Sequence, residues 1–166
     1  MKKLLLVTLL LSSVVLSHAQ GSLSTGASQL NAGFGISGWG IPVYLGLDYG
    51  LAKDFTVGGE LSFRSYNDNY NGTGYNHNIM GISGNGNYHF NSVFNLSEKF
   101  DFYAGLNLGF YVWTSPSDYP GNHTSGLGLG AQVGGRYYFS RKVGLNLEVG
   151  GGNAFSGGKI GLTFKL

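Results

Sequence analysis

A run of strict two-residue alternation constrains this chain most. From Asp101 to Val112 the even positions Phe102, Ala104, Leu106, Leu108, Phe110 and Val112 are apolar, and the odd ones are mostly Gly, Asn or Tyr. Side chains that alternate this way lie on opposite faces of a strand. Seven further segments repeat the pattern and end in turn-like residues. They begin near Leu30, Val43 and Phe55, continue with one ending at Phe90, and resume at Leu127, Val143 and Ile160. No long stretch carries a helical period.

The faces differ in kind. One holds Leu, Val, Ile and Phe; the other holds Gly, Asn, Ser and Gln with few charges, which makes a poor water-facing surface. A soluble barrel turns its apolar face inward and offers polar groups to water. Here the small polar face suits the inside of a narrow barrel, where eight strands leave room only for side chains. The apolar face then points out into lipid, where open sheet edges are forbidden and closure is required. The chain contains 30 glycines, far above the roughly 7% norm, and shows no collagen period.

Lys2 and Lys3, the apolar run Leu4–Leu16 and Ser17-His18-Ala19 before Gln20 have the form of an export signal. The expected division is a cleaved leader over 1–19 and one barrel domain over 20–166. Without Lys2 and Lys3 the ten Lys and Arg fall to eight, matching eight Asp and Glu. Such a balance offers no clustered basic face for nucleic acid. Zero Cys excludes disulfide staples and thiolate metal sites.

The turns Ala52–Asp54, Asn91–Lys99 and Ser140–Lys142 carry charges, whereas Asn67–Asn78, Thr114–Thr124 and Gly151–Gly157 are rich in Asn, Gly, Ser and Tyr. Short turns at one end and longer loops at the other characterise up-and-down membrane barrels. The Asn67–Asn78 and Thr114–Thr124 segments read as polar outer loops, and Trp39–Pro42 as a tight connection. Aromatics gather at strand ends, with Tyr49, Phe55, Phe90, Phe139 and Phe164 at one side and Phe63, Tyr66, Tyr111 and Trp113 at the other. Two such girdles are expected of a membrane barrel.

On the inward face fall Asp48, Glu60 and Glu148 against Arg64, Arg136 and Lys165. These six read as a structural charge network, since buried charges persist when paired. Arg136 and Glu148 are expected to meet diagonally across one hairpin. Tyr70, Tyr75 and Tyr119, in the outer loops, are candidate surface contacts.

With these features the chain resembles the small outer-membrane β-barrel proteins of the OmpA/OmpX type, over about Leu30 to Leu166. The resemblance implies an all-β, eight-stranded antiparallel up-and-down transmembrane barrel in the outer membrane of a Gram-negative-type bacterium. It implies outer-membrane lipid as surroundings, and a final strand, Ile160–Leu166, read by the barrel-insertion machinery. That strand ends in Leu166 with its aromatic at Phe164, where the family usually ends in an aromatic residue.

No catalytic, cofactor-binding or metal site is expected. Gly157-Gly158-Lys159 lacks the phosphate-loop pattern, because Asn153 stands where Gly is needed and Ile160 follows the lysine. His77, His89 and His123 show no ligand spacing. Asn-x-Ser/Thr triplets at Asn71, Asn95 and Asn122 read as chance matches in Asn-rich segments. The expected role is structural or surface interaction around a filled, non-conducting lumen. Two alternatives stand beside it. One is a lipid-modifying barrel enzyme using His77 with Asp68, or His123 with Ser117, Asp118 and Ser125. The other is a secreted soluble barrel of lipocalin type.

Overall fold

The computed structural model describes residues 22–122, 124–153 and 156–166. The leader 1–19 with its cleavage site, and His123, lie outside the described residues. Eight strands follow in order: β1 (Ser28–Ser37), β2 (Val43–Ala52), β3 (Phe55–Tyr70), β4 (Thr73–His89), β5 (Phe100–Thr114), β6 (Gly126–Tyr138), β7 (Val143–Gly152) and β8 (Gly157–Lys165). A one-turn helix, α1 (Asn91–Phe94), lies between β4 and β5. Each strand pairs antiparallel with the next, and β1 pairs with β8 from Gln29↔Lys165 to Ser37↔Gly157. The sheet is a closed barrel without edges, so every strand finds hydrogen-bond partners on both sides.

The two faces invert the arrangement of a soluble protein. Leu45, Leu61, Ile82, Leu106, Leu129 and Leu147 point outward and are 51–64% exposed. Inside, Asn31, Asp48, Thr56, Arg64, His89, Asp101, Gln132, Arg136, Asn146 and Thr163 are buried. Monomeric soluble proteins do not carry a continuous apolar belt of this kind. Among the described residues no helix is long and apolar enough to cross a membrane; the apolar surface belongs to strands.

The polar segment Asn67–Asn78, expected as a loop, is mostly strand. β3 and β4 pair without a break up to Tyr70↔Thr73, leaving a two-residue turn at Asn71-Gly72. Both turn residues have positive φ, 51° and 84°, which matches the twist of a tight hairpin and favours Asn-Gly. These strands have 16 and 17 residues, against the ~9–11 that span a bilayer. Their excess forms a paired ribbon beyond the belt.

The opposite end holds the turn at Lys53-Asp54, α1, the turn at 140–142 and both ends of the described chain. Ser92 Oγ donates to Asp54 Oδ1 at 2.9 Å, joining two of these turns, and Leu166 N donates to Ser28 O at 2.9 Å. The segment before β1 is fastened here as well. Gly26 N donates to Gly50 O, Gly50 N donates to Ala27 O, and Leu23 is buried to 4% exposure. Gly50 faces inward, and any Cβ there would meet the Ser24 carbonyl. Missing from the sequence expectation, this segment packs against the inward side of β2 at Gly50.

The aromatic girdles divide. Tyr49, Phe55 and Phe139 are exposed on the outer wall at the end carrying the short turns, and Phe63 is exposed toward the other end. Tyr66, Tyr111 and Trp113 were expected beside Phe63, but they share the inward register of Arg64 and Gly109. Tyr111 is only 8% exposed. Parity decided this: residues an even number apart share a face.

Two outcomes check these assignments. Leu147→Arg places a charge at mid-belt and is expected to cost about 2–4 kcal/mol of folding in lipid vesicles, seen as loss of the heat-modifiable gel band. On a water-facing wall the same change is neutral. Gly72→Ala forces a side chain onto φ +84° and is expected to lower stability by about 1 kcal/mol in urea titrations.

Candidate functional site: the barrel lumen and its outer aromatic mouth

The lumen is built from a repeated three-part unit. Four inward tyrosines each stand opposite a glycine in the strand register: Tyr44↔Gly33, Tyr103↔Gly134, Tyr111↔Gly81 and Tyr138↔Gly144. An added Cβ at Gly81 or Gly144 would come within 2.9 Å of the ring of Tyr111 or Tyr138. Gly81, Gly134 and Gly144 thus supply the volume that the rings of Tyr111, Tyr103 and Tyr138 occupy, whereas Tyr44 is accommodated at Gly161. Each ring in turn carries a cation. Arg136 Cζ lies 4.4 Å from the Tyr103 centroid, Lys165 Nζ 4.1 Å from Tyr138, Lys159 Nζ 5.2 Å from Tyr44, and Arg64 Cζ 5.8 Å from Tyr111. Cations over aromatic faces gain most where water is scarce.

Carboxylates complete two of these units. Arg136 donates through Nη2 to Asp48 Oδ2 at 2.8 Å and through Nη1 to Asp101 Oδ2 at 3.1 Å. Lys159 Nζ contacts Glu60 Oε2 at 2.8 Å and Glu148 Oε1 at 3.0 Å. The expected Arg136–Glu148 diagonal is therefore replaced. Arg136 reaches across the lumen to β2 and sideways to β5, and Glu148 faces Lys159, its direct register partner. Arg64 donates to Ser37 Oγ at 3.2 Å.

Three members of the network were missed by sequence reading. Asp101 shares the inward parity of Tyr103, and Lys159 that of Gly161 and Lys165, so both were readable from alternation. His89 joins Asp101 through Nδ1 at 2.7 Å and Thr56 Oγ1 through Nε2 at 2.9 Å. This hydroxyl–imidazole–carboxylate row has the connectivity of a nucleophile with its base and orienter. Thr56, His89 and Asp101 are 2%, 0% and 0% exposed, so the row is closed off from solvent. The row lies among the buried polar side chains of the inner face.

Amides bridge the remaining width. Asn31 Nδ2 donates to Asp48, Thr163 Oγ1 to Asn31, Gln132 Nε2 to Asn87, and Asn107 Nδ2 to Gln132. Tyr103 Oη donates to Glu148 Oε2 at 2.8 Å. Between Tyr44, Glu60, Tyr111, Gln132 and Lys159 there remains a cavity of about 20 Å³, room for a single water.

Above this layer the mouth away from the short turns is aromatic. His77, 0% exposed, is ringed by Tyr66, Trp113 and Tyr119 at centroid distances of 6.2, 6.0 and 4.6 Å, and its Nδ1 lies 2.9 Å from Ser115 Oγ. Trp39, in the first connection, meets Trp113 edge-on at 5.2 Å. The three candidate surface tyrosines come together here: Tyr119 packs on Tyr75 at 5.1 Å and on Tyr70 at 6.0 Å. Tyr119 Oη donates to Asp68 Oδ2 at 2.9 Å. Partial desolvation first, and this hydrogen bond second, hold the Tyr119 phenol above the usual tyrosine range. Asp68 and His77, paired in the enzyme alternative, both meet Tyr119, and the hydroxyl at His77 is that of Ser115. Ser125 Oγ accepts from Trp113 N at 3.0 Å.

The sequence matches no family model and no curated protein. Solved structures do share the fold. The outer membrane protein OprG from Pseudomonas aeruginosa superposes with a TM-score of 0.67 at 12% identity, covering 89% of this chain and 99% of that one. Neisserial surface protein A gives 0.54 at 14%, over 84% and 94%. Ail of Yersinia pestis, in a phospholipid bilayer nanodisc, gives 0.56 at 12%, over 85% and 99%. The closed sheet, its outward apolar belt and these superpositions agree: the fold is that of the small eight-stranded outer-membrane β-barrels.

Proposed function

We propose that the protein is an integral outer-membrane barrel with a filled, non-conducting lumen, acting as a structural or surface-interaction element and not as an enzyme. The observation that carries this reading is the side-chain bridging of the lumen by Arg136–Asp48–Asp101 and Lys159–Glu60–Glu148, with a cavity of about 20 Å³ beside the second group. A hydrated ion needs a continuous path, and these contacts interrupt it at two levels. The six charges Asp48, Glu60, Arg64, Arg136, Glu148 and Lys165 then serve structure, together with Asp101, Lys159 and His89.

The outer contact surface is the ribbon tip with the segment around Tyr119, where Tyr70, Tyr75 and Tyr119 form one cluster. Tyrosines supply contact area at low entropic cost and keep a hydroxyl for hydrogen bonding. The outer wall meets membrane lipid, and the insertion machinery reads the last strand, which β1 covers in the finished barrel.

Conductance in planar bilayers is the direct test. The wild-type barrel is expected to show no stepwise openings, and regular ion-conducting steps from folded protein overturn the filled-lumen reading. A second outcome concerns the network. Arg136→Met leaves Asp48 and Asp101 buried without their shared cation, and a loss of about 3–5 kcal/mol is expected in urea unfolding from vesicles. Adding Asp101→Asn is expected to restore part of it.

A further inference from the structure

The outer wall changes character in a single step where β3, β4 and β5 leave the apolar belt. Phe63↔Met80↔Val112 is its last apolar row, each residue 44–62% exposed. The next row is Ser65↔Asn78↔Thr114, and beyond it stand Asn67↔Asn76 and Asn69↔Gly74. Residues an even number apart share a face, so these rows continue the lipid-facing wall, and all of them are exposed. The opposite face of the ribbon, with Asp68, Tyr75 and His77, is covered by Tyr119. The bare face extends about 20 Å along the strand from Phe63 to Asn69.

Its chemistry is uniform. Amides and hydroxyls cover it, with no charged and no apolar side chain among them. A face that meets only water ordinarily mixes Lys and Glu into such a surface. Each Asn brings two N–H donors and a carbonyl acceptor. Asn67 Nδ2 donates to Asn76 Oδ1 at 3.0 Å, which fixes the pair and leaves the Asn67 carbonyl and the Asn76 amino group for an outside partner. Gly74 keeps the face low beside them, since an added Cβ there would sit 3.4 Å from Asn67 Oδ1.

Sugar hydroxyls donate and accept as amides do, so the two surfaces match group for group. A phosphate only accepts and is held by Arg or Lys, and residues 65–78 and 114–122 contain neither. We infer that this face binds the uncharged sugar headgroup of an outer-leaflet glycolipid. Continuity with the belt selects a lipid-borne sugar, because Phe63, Met80 and Val112 place acyl chains directly beneath the amides. The inference rests on the outer-membrane reading above and adds a second contact face to the tyrosine cluster.

The test is native mass spectrometry of the full barrel, released from bilayers of equal digalactosyldiacylglycerol and phosphatidylcholine. Boiled and unboiled gel lanes run alongside report folding separately. An absent gel shift would count against the membrane barrel itself. With the shift present, retained digalactosyldiacylglycerol is expected to exceed phosphatidylcholine on the order of fivefold, the scale of one net hydrogen bond. Asn67→Ala with Asn76→Ala is expected to abolish that preference while the barrel still folds. Asn67→Gln with Asn76→Gln is expected to keep most of it, because the amides persist. Equal retention of the two lipids by the folded wild type overturns the inference, as does an undiminished preference in the Ala pair or a Gln pair no better than the Ala pair. A matching excess of phosphatidylglycerol over phosphatidylcholine in a parallel bilayer also overturns it, since headgroup charge would then suffice. Displacement of the glycolipid by free galactobiose at equal concentration overturns the lipid-borne source.

Discussion

Closure between β1 and β8 is the constraint on which everything else depends. Outside water, an unpaired strand edge leaves a row of amide and carbonyl groups without partners, each a cost of several kcal/mol. The Gln29–Ser37 pairing with Gly157–Lys165 removes both edges at once. Once the sheet closes, the inner face becomes a tube too narrow for water and bulky chains together. The inner face must therefore be small, polar and mutually satisfied, and the outer face is left to carry the apolar residues.

The lumen shows how a closed tube tolerates charge. Burying a lone ion is prohibitive, and a buried pair gains little over an apolar filling unless its remaining hydrogen-bonding capacity is met. Arg136 meets two carboxylates and a tyrosine face; Asp101 meets Arg136 and His89; His89 meets Thr56. Each member is held by more than one neighbour. Polar networks of this kind define a unique arrangement when complete, which suits a barrel whose outer wall, facing lipid, offers no packing specificity of its own.

Much of this was legible in the sequence. Period-two alternation alone placed Leu45, Leu61, Leu106, Leu129 and Leu147 on one face and Asp48, Glu60, Arg64 and Arg136 on the other. It failed where both faces of a strand meet water. Between Asn67 and Asn78 neither side is apolar, so the alternation fades although the strands continue, and only the Asn71-Gly72 pair marked the hairpin. Partners across the lumen were also hidden. The hairpin register brings Arg136 near β5 and β7, but its contact with Asp48 on β2 depends on how the closed tube folds distant strands toward one axis. Tyr66, Tyr111 and Trp113 were assigned by position along the strand when parity was the better guide.

The tyrosine–glycine pairs have a consequence for assembly. Sliding one strand past its neighbour by two residues keeps every apolar side chain outside, so the outer wall cannot detect the error. The inner wall can. Such a slip between β5 and β6 would set Tyr103 against Gln132 or Arg136 in place of Gly134, putting two large side chains where the tube has room for one. The pairs act as a gauge of stagger. Because stagger and strand number together fix a barrel's width and tilt, the three pairs on the neighbouring seams from β4 to β7 hold that arc of the tube to one stagger.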